Sequence, residues 1–524
     1  MNRRTLLVAP LLLWGLARAE AQQPPAVPGQ DWWTSAPVFR SNYYALKTDL
    51  PAEDAQALAD HLDATFESYL RLVSMLPVRL RRPARLEVYL LAQEQDYQNV
   101  LRLRFQDDGA GSWGKCITRG NTVSLVGWRG HHTNEQMKPL LQHESFHQVA
   151  GHFFPGLPVW ADEGLAETFE RGVMVGDQLA LGEFAEHDKR RLLAAVEGKT
   201  IVPFELFFAI GADQWGQRVR GGAAGTLYVQ AWSLAHFFLF AEDGKYKLGF
   251  LNFLVNLNRG ADWRRSFLAA FGAPDFQAIE AKWLKHVQET PPSDYRTTVR
   301  RLDFLAAGMA KLREQEIYPE TLDELRGRLE QIGFSHSSDL FGESQQLAAR
   351  QPETFTVPFA EAASGREFVL VDISPGAGRR SSRQQPPPKN VVVQGLKPET
   401  FAVTWQPRGR QWQYSVISGP AAERVVRAAA ARTARTRTPT DPTEQADTAE
   451  PVEPPRDRPN TPEPRPKFRK WNSADGNYST LAVLIEYGDG RVRLKRADGR
   501  EVKVPFERLS PADQQYVEQW QARQ

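Results

Sequence analysis

The chain has 524 residues, of which 41% are hydrophobic and 24% are charged, a balance that is typical of soluble globular proteins. Lysine and arginine total 65 against 63 aspartate and glutamate, so the net charge of +2 gives no overall field that would favour nucleic acid as a partner. The single cysteine, Cys116, excludes a disulfide within the chain and argues against a thiolate zinc site.

The opening stretch MNRRTLLVAPLLLWGLARAEAQQ has the pattern of a secretory signal peptide. Arg3 and Arg4 form a positive head, and Leu6–Leu16 is an apolar run too short to cross a bilayer as a helix. We therefore expect residues 1–21 to be removed. Because of this signal-peptide pattern, the mature protein is expected to be extracytoplasmic, either periplasmic or secreted. No later run is long and apolar enough to be expected to span a membrane.

Residues 32–288 are predicted to form one domain, a small mixed sheet followed by helices. Aromatic and β-branched residues favour strands in NYYALKTDL, ARLEVYLL and TVSLVGW. Between the first two strands, PAEDAQALADHLDATFESYLRLVSML has apolar residues at helical spacing and predicts an amphipathic helix. From about Asn134 onward the pattern is almost entirely helical.

Residues 141–170, LQHESFHQVAGHFFPGLPVWADEGLAETFE, contain an HExxH motif. His143 and His147 are four residues apart, so on a helix they project from one face and can share a metal ion. Glu144 is rotated by about 100° around the axis and is expected beside a metal-bound water rather than on the metal. Because zinc lowers the pKa of its water towards ~7, a neighbouring carboxylate can accept the proton, which suits hydrolysis of a carbonyl substrate.

Two histidines leave a zinc ion in need of a third protein ligand. Pro155 and Pro158 break the helix and predict a hairpin whose second helix begins near Asp162, a good cap residue. Glu163 lies at the start of this returning helix and can reach the open face of the site. Glu167 follows one turn later on the same side and is expected to hold the second nitrogen of a ligand histidine.

The first helix of the hairpin has two candidate starts. Pro139 predicts a start at that position, since a proline inside a helix costs about 3 kcal/mol. The segment TNEQ, residues 133–136, offers a capping box nearly two turns earlier. We favour the proline start, and His143 is helical in either case. The alternative to the whole metal site is a polar helical hairpin that matches HExxH by chance.

The segments HESFH and VWADEGLAETFE resemble the gluzincin metallopeptidases and, more narrowly, the peptidase-MA-like domains of secreted bacterial proteins. The resemblance covers residues 32–288. It implies a general base at Glu144. The zinc ligands that it implies are His143, His147 and Glu163.

The apolar segment GTLYVQAWSLAHFFLF is predicted to be a buried helix. Gluzincins of the aminopeptidase type use a tyrosine from a later helix to bind the oxyanion, and Tyr228 is the best match to it. Simple packing of Tyr228 in the buried helix is the alternative. His236, in the same helix, is expected to be a core histidine with satisfied hydrogen bonds.

Residues 293–419 are predicted to form a small mixed α/β domain to which the sequence assigns no role. Its predicted helix is YPETLDELRGRLEQIG, and its predicted strands are TFTVPF, REFVLVDI, NVVVQGL and FAVTWQ. Residues 421–467 are rich in proline, threonine and arginine and have few large apolar residues. Such a segment buries too little surface to offset its conformational entropy, so we predict a disordered linker.

Residues 468–524 are predicted to fold again, with strands in LAVLIEY, RVRLKR and EVKVPF and a final helix that Ser510 caps. The segment from RKW to the tail LKRADGREVKVPFERLSPADQQYV resembles the SLA-type homology domain, an SH3-like β-barrel. The resemblance implies a module that binds proteins or short peptides. A small β-domain that acts only as a spacer is the alternative.

These expectations describe an α+β protein with a gluzincin-type zinc domain, a small mixed segment, a disordered linker and an SH3-like module. They predict a secreted zinc-dependent metallopeptidase that requires Zn²⁺, acts on a peptide or protein and is tethered to a protein-binding module. The alternative is a catalytically inactive, gluzincin-like binding or adaptor protein of the cell envelope that acts through its C-terminal domain.

Overall fold

The computed structural model describes residues 32–75, 85–107, 112–120, 122–372, 388–408, 411–436, 469–472, 479–488, 490–496 and 501–521. The chain divides into two units, Met1–Pro439 and Thr440–Gln524. The predicted signal peptide and residues 437–467 of the predicted linker lie outside the described residues. Within the described ranges, no helix combines the length and the apolarity that crossing a bilayer requires.

A five-stranded sheet and its flanking helices open the first unit. The elements are α1 (Trp32–Ser35), β1 (Val38–Arg40), β2 (Tyr44–Thr48), α2 (Ala52–Val73), β3 (Leu86–Leu91), α3 (Glu94–Val100), β4 (Gly114–Arg119) and β5 (Thr122–Trp128). The strand order is β1-β2-β3-β5-β4, in which β2, β3 and β5 are parallel and both edge strands are antiparallel to their neighbours. The predicted strands and amphipathic helix are confirmed. The sequence does not predict β1, which has three residues, or β4, whose residues are mostly small or polar.

A mainly helical region follows, as the sequence predicts. Its elements are α4 (Asn134–Phe153), α5 (Val159–Glu170), β6 (Val173–Val175), β7 (Gln178–Ala180), α6 (Glu186–Glu197), α7 (Phe204–Phe208), α8 (Ala212–Arg218), α9 (Ala224–Gly244), α10 (Lys247–Asn258), α11 (Trp263–Phe271) and α12 (Phe276–Glu289). The larger helices pack into one hydrophobic core with α2 and one face of the sheet. Helix α9 is buried along most of its length, as its apolar sequence predicts.

Helix α4 begins at Asn134, so the predicted start at Pro139 is wrong. The Thr133 hydroxyl accepts a hydrogen bond from the backbone amide of Gln136 at 3.3 Å. In return, the Gln136 side chain accepts one from the Thr133 amide at 2.9 Å. This capping box satisfies two amides that a helix end leaves without partners, and it helps to offset the cost of a proline inside the helix.

Helix α5 also begins earlier than predicted. Its first residue is Val159, and Pro158 precedes it with an extended backbone. Asp162 therefore lies in the first turn rather than at the cap. Proline supplies this start because its restricted φ suits the residues at a helix entry.

The remainder of the first unit is a layered α/β arrangement. Its elements are α13 (Tyr295–Glu314), α14 (Leu322–Gln331), β8 (Ser335–Ser338), β9 (Gln345–Ala348), β10 (Glu367–Val371), β11 (Asn390–Gln394), β12 (Phe401–Arg408), β13 (Gln411–Ser418) and α15 (Gly419–Thr436). Strands β10 to β13 form one antiparallel sheet in chain order. Val391 and Val393 of β11 face the core that contains α13, whereas Val392 faces α15. The predicted helix and three of the predicted strands are confirmed.

Two predictions for this region are wrong. TFTVPF, residues 354–359, is not a strand: its first two residues belong to the 3₁₀ helix Pro352–Phe355 and the rest form a bend and a turn. Residues 421–436 of the predicted linker belong to α15, whose buried residues Ala422, Val425 and Ala429 recur at helical spacing. Small apolar residues among arginines give a weak sequence signal, yet they suffice here because the sheet offers Val392 and Ala402 as a packing surface.

Residues 293–419, predicted as a separate domain, share a core with the preceding region. Val173, Val175 and Ala180 of the β6–β7 hairpin pack with α13 and β11. Both regions belong to the same compact unit. A short hairpin carries no sequence signal that identifies the element against which it packs.

The second unit contains β14 (Arg469–Asn472), β15 (Ser479–Gly488), β16 (Arg491–Arg496), β17 (Glu501–Pro505) and α16 (Pro511–Gln521). The predicted strands and the Ser510 cap are confirmed, and the Ser510 hydroxyl accepts from the Asp513 amide at 3.3 Å. The strands pair in chain order, and among the described residues β14 does not pair with β17. The sheet is therefore open between these two strands, and the predicted barrel is not closed in the described residues.

Candidate metal centre

Helices α4 and α5 form an antiparallel hairpin that carries the predicted zinc ligands. His147, late in α4, contacts Asp162 in the first turn of α5. Gln142, more than one turn earlier in α4, donates to the carbonyl oxygen of Gly172 just beyond α5 at 3.1 Å. The facing sides of the two helices therefore meet over several turns, which brings residues from both into one site.

Close packing against α9 fixes the position of α5. A Cβ atom at Gly164 would lie 2.3 Å from the carbonyl oxygen of Ala231 in α9. Glycine is the residue that permits such an approach, because it has no side chain. The adjacent Glu163 projects towards α4, where it approaches both histidines of the motif.

Three candidate ligand atoms converge between the helices. Nε2 of His143 lies 3.1 Å from Nε2 of His147. Oε2 of Glu163 lies 3.6 Å from each of these nitrogens. A tetrahedral zinc ion with bonds of about 2.0–2.1 Å holds its ligand atoms about 3.3 Å apart. The triangle therefore has the size that one zinc ion requires, and three protein ligands leave a fourth position for water or substrate.

The three side chains are buried, with only 1% of His143, 4% of His147 and 1% of Glu163 exposed. Among the described residues, neither carboxylate oxygen of Glu163 has a hydrogen-bond partner. Leaving such a group unsatisfied costs about 1–3 kcal/mol, and more when it is charged. A divalent cation in the triangle would satisfy this carboxylate, so the residues fit zinc.

Electrostatics at the site also favour a bound cation. Burial would raise the pKa of Glu163, but the two adjacent imidazoles outweigh burial and lower this pKa to about 2. Burial would lower the pKa of His147, yet Asp162 and Glu163 raise it to about 10. The pKa of His143 is likewise well above its usual value, because Glu163 and Glu170 outweigh burial. Buried negative charge here requires either protons on the imidazoles or a metal ion.

Each motif histidine has a carboxylate at its second ring nitrogen. Nδ1 of His143 lies 2.7 Å from Oε2 of Glu170. Nδ1 of His147 lies 3.1 Å from Oδ1 of Asp162. Both contacts leave the Nε2 atoms directed towards Glu163. Sequence reasoning did not identify Glu170, although its position seven residues after Glu163 places it on the same side of a helix.

The Glu167 side chain does not make the predicted contact with a histidine nitrogen. Its carboxylate is paired with Arg171, four residues later. Arg171 also lies 3.0 Å from the buried carboxylate of Asp188 and 4.8 Å from the ring of Trp232. Although Glu167 and Glu170 have oxygens close enough to His143 for a second metal group, the Arg171 guanidinium is the cation that balances Glu167.

Glu144, the predicted general base, is buried beside the triangle. Among the described residues its Oε1 atom has no hydrogen-bond partner. Gly114 of the edge strand β4 leaves room for it, since a Cβ there would lie 3.2 Å from Cγ of Glu144. Burial raises the pKa of Glu144, although His143 and His147 oppose this shift. A raised pKa suits a base that must both accept and release a proton near neutral pH.

Tyr228 lies in α9 one turn before Ala231, and therefore on the side of α9 that faces α5. Its ring contacts Trp215 edge-to-face, with the centroids 5.6 Å apart. Burial raises the pKa of the phenol, and the carboxylates of Glu163 and Glu144 raise it further. The hydroxyl is protonated at neutral pH, as an ordinary phenol already is, and can act as a hydrogen-bond donor.

His236 is a core histidine with partners on both ring nitrogens, as predicted. Its Nδ1 atom lies 3.1 Å from Nε2 of His286, and its Nε2 atom lies 3.2 Å from the carbonyl oxygen of Gly182. Burial lowers the pKa of His236 to about 3, so this side chain is neutral at physiological pH. It belongs to no group in the described residues that could hold a metal ion.

Comparison with known families identifies a domain in one part of the chain. Residues 459–524 match the family model of SLA1 homology domain 1, SHD1. The C-terminal unit therefore carries this domain, and the match includes all its described strands and its helix. No curated protein matches the chain.

Proposed function

We propose that the chain is a secreted zinc-dependent metallopeptidase of the gluzincin type. The observation that carries this proposal is the buried triangle of His143, His147 and Glu163, whose ligand atoms lie 3.1–3.6 Å apart. The unsatisfied carboxylate of Glu163 supports a cation at its centre. The adjacent Glu144 supports hydrolysis rather than a purely structural metal site.

In this proposal, zinc and two side chains, Glu144 and Tyr228, carry out the chemistry. Zinc, when bound, lowers the pKa of a water ligand and polarises the substrate carbonyl group. Glu144 accepts the proton of the attacking water and delivers it to the leaving amine. Tyr228 donates a hydrogen bond to the oxygen on which negative charge develops. Its position on the side of α9 that faces α5 supports this role.

The C-terminal unit is proposed to bind protein or peptide ligands. The support is its match to SLA1 homology domain 1 and its resemblance to peptide-binding modules with an SH3-like barrel. Linked to a peptidase, such a module would raise the local concentration of a substrate or anchor the enzyme near it. The signal-peptide pattern in residues 1–21 supports action outside the cytoplasm.

A second candidate function is that of an adaptor whose gluzincin-like domain is catalytically inactive. The family match of the C-terminal unit favours this candidate, because the matched domain suggests protein binding, and binding requires no metal. The presence of Glu144 beside the ligand triangle argues against it, since a binding domain has no need of a general base.

Metal content is the first test of the two candidates. Purified protein is expected to contain about one zinc per chain, because the triangle accommodates one ion. His147→Ala is expected to lose it, whereas Glu135→Gln, at the start of the same helix, is expected to retain it. Wild-type protein that takes up no zinc would contradict the peptidase proposal.

Cleavage of a peptide library then separates an enzyme from an adaptor. Glu144→Gln is expected to retain zinc but to reduce the cleavage rate by a factor of roughly 10²–10⁴, the usual contribution of a general base. Glu135→Gln serves as the matched control and is expected to cleave as the wild type does. Zinc-loaded wild type that yields the same products as Glu144→Gln would favour the adaptor.

A further inference from the structure

The side chain that orients His143 is not at the position where the motif predicts it. The second ring nitrogen of His143 lies 2.7 Å from the Glu170 carboxylate, while Glu167 is paired with Arg171. We propose that Glu170 is the positioning residue for the zinc ligand His143 and that Glu167 has no part in this task. The inference rests on the proposed zinc site and identifies which outer carboxylate maintains it.

Helix geometry explains why Glu170 reaches His143. Seven residues correspond to about 700°, so Glu170 lies within about 20° of Glu163 around the axis of α5. Glu167 lies about 40° away on the other side. Because α4 and α5 are antiparallel, moving along α5 from Glu163 to Glu170 leads from the level of His147 to that of His143.

An ion pair with Arg171 keeps the Glu167 carboxylate from binding His143. The guanidinium pairs with the Glu167 carboxylate. Its position is fixed by two further contacts, an ion pair with Asp188 at 3.0 Å and the ring of Trp232 at 4.8 Å. Both Asp188 and Trp232 are buried, so these anchors are fixed by the core. Glu170 has no such pairing, and 37% of its side chain is exposed. Its closest contact with a charged group in the described residues is with His143.

The contact with Glu170 determines which nitrogen of His143 is available to a metal. When Nδ1 carries the proton and donates a hydrogen bond to Glu170, Nε2 bears the lone pair that faces His147 and Glu163. A carboxylate in this position also fixes the orientation of the ring and makes Nε2 more basic. His147 differs, because its Nδ1 atom lies 3.1 Å from Asp162 as an ion-pair contact but has no hydrogen-bond partner in the described residues. Helix α5 therefore provides a proposed ligand, Glu163, and the carboxylate that is hydrogen-bonded to His143.

The test is the zinc affinity of the full-length protein, measured by competition with a chromophoric chelator at pH 7. Loss of an outer carboxylate typically weakens metal binding by a factor of about 10–100, and Glu170→Ala is expected to fall in this range. Glu170→Gln keeps an acceptor for the Nδ1 proton but loses the charge, so we expect it to lie between Glu170→Ala and the wild type. Glu167→Gln, which keeps a hydrogen bond to Arg171, is expected to bind zinc within about threefold of the wild type, since a merely structural neighbour does not tune the ligand.

The visible absorption spectrum of the cobalt-substituted protein provides a second readout, because it reports on ligand geometry. Glu170→Ala is expected to alter this spectrum and Glu167→Gln to leave it unchanged. Unaltered zinc affinity in Glu170→Ala, or an equal loss in Glu167→Gln, would overturn the inference while leaving the zinc site intact. If the wild type itself bound no zinc, the proposed function would fail instead. Glu170→Gln decides the matter in the event that Glu170→Ala does not fold.

Discussion

At the scale of single residues, Glu163 shows how burial and charge conflict at this site. Its carboxylate is buried, no hydrogen-bond partner for it exists in the described residues, and two imidazoles nevertheless hold its pKa at about 2. Such an arrangement is costly to stability unless a cation completes it. Strongly shifted pKa values in a cluster of this kind are characteristic of functional sites.

Tyr228→Phe separates a catalytic role of this residue from simple packing. Removal of one oxyanion donor is expected to lower kcat by a factor of about 10²–10³ and to leave zinc content unchanged. The aromatic ring is retained, so the melting temperature should change little. Tyr246→Phe, whose hydroxyl donates to Glu242 outside the site at 2.5 Å, is the matched control. Unchanged kcat in Tyr228→Phe would assign this tyrosine to packing alone.

At the scale of secondary-structure elements, two local features decide where the hairpin begins and how close it lies to its neighbour. The capping box of Thr133 and Gln136 starts α4 ahead of Pro139 and thereby places a proline inside the helix. Gly164 permits contact between the backbones of α5 and α9. The first feature lengthens α4, the helix that carries the HExxH motif. The second positions α5, the helix that carries Glu163, the proposed third ligand.

Pro139→Ala is expected to stabilise the protein. The substitution restores a backbone amide that can donate to the carbonyl of Glu135 and removes the clash of the proline ring, a change of about 1–3 kcal/mol within a helix. Thermal unfolding followed by circular dichroism should show a higher melting temperature. Thr133→Ala is expected to shift it in the opposite direction, because loss of a cap costs about 1 kcal/mol. A lower melting temperature for Pro139→Ala would contradict this account of α4.

Gly164→Ala is expected to destabilise the protein and weaken zinc binding together. The new methyl group would meet the Ala231 carbonyl at 2.3 Å, and overpacking of this kind costs about 3 kcal/mol. Gly327→Ala, in α14 with no atom within 4 Å of the new methyl group, should instead gain about 0.5–1 kcal/mol from better helix propensity. Chemical denaturation of both variants provides the comparison, and equal stability of the two would show that α5 and α9 can separate at little cost.

At the scale of the whole molecule, the first unit joins the α4–α5 hairpin, which carries the candidate metal site, to a layered sheet through shared packing. The β6–β7 hairpin that follows α5 packs into the core formed by α13 and the β10–β13 sheet, within the same unit. Nearby, Glu183 accepts a hydrogen bond from the backbone amide of Tyr295, the first residue of α13. Burial of Glu183 raises its pKa to about 7, although the amide of Tyr295 opposes this shift.

This raised pKa predicts how stability depends on pH. Between the ordinary pKa of 4.5 and about 7, folded Glu183 holds a proton that the unfolded chain has released, so its contribution to stability is complete below pH 4.5 and is lost as the pH rises through 7. Glu183→Gln lacks this loss, so as the pH is raised from 4.5 to 8 its free energy of unfolding should increase by about 1–3 kcal/mol relative to that of the wild type. Urea denaturation at pH 4.5 and at pH 8 measures this difference.

The control is Glu197→Gln, which replaces an exposed carboxylate and should show no such increase. The absence of an increase in Glu183→Gln would refute the prediction.

Local patterns in the sequence determined most of the secondary structure of this protein. Spacing of four residues places His143 and His147 on one helix face, and prolines after them require a turn. Strands such as β3 and β5 follow from runs of aromatic and β-branched residues. These signals are reliable because they depend on interactions between residues that are close in the chain.

Only the tertiary structure decided which side chains meet. Glu167 and Glu170 both project towards α4 by helical spacing, and the choice between them depends on Arg171, which Asp188 and Trp232 hold from other helices. Helix α15 exists because a sheet covers its small apolar residues. The start of α4 at Asn134 rather than Pro139 likewise reflects two opposing effects, the capping box and the cost of an internal proline. Contacts between distant segments decide these outcomes, and a sequence pattern records only local preferences.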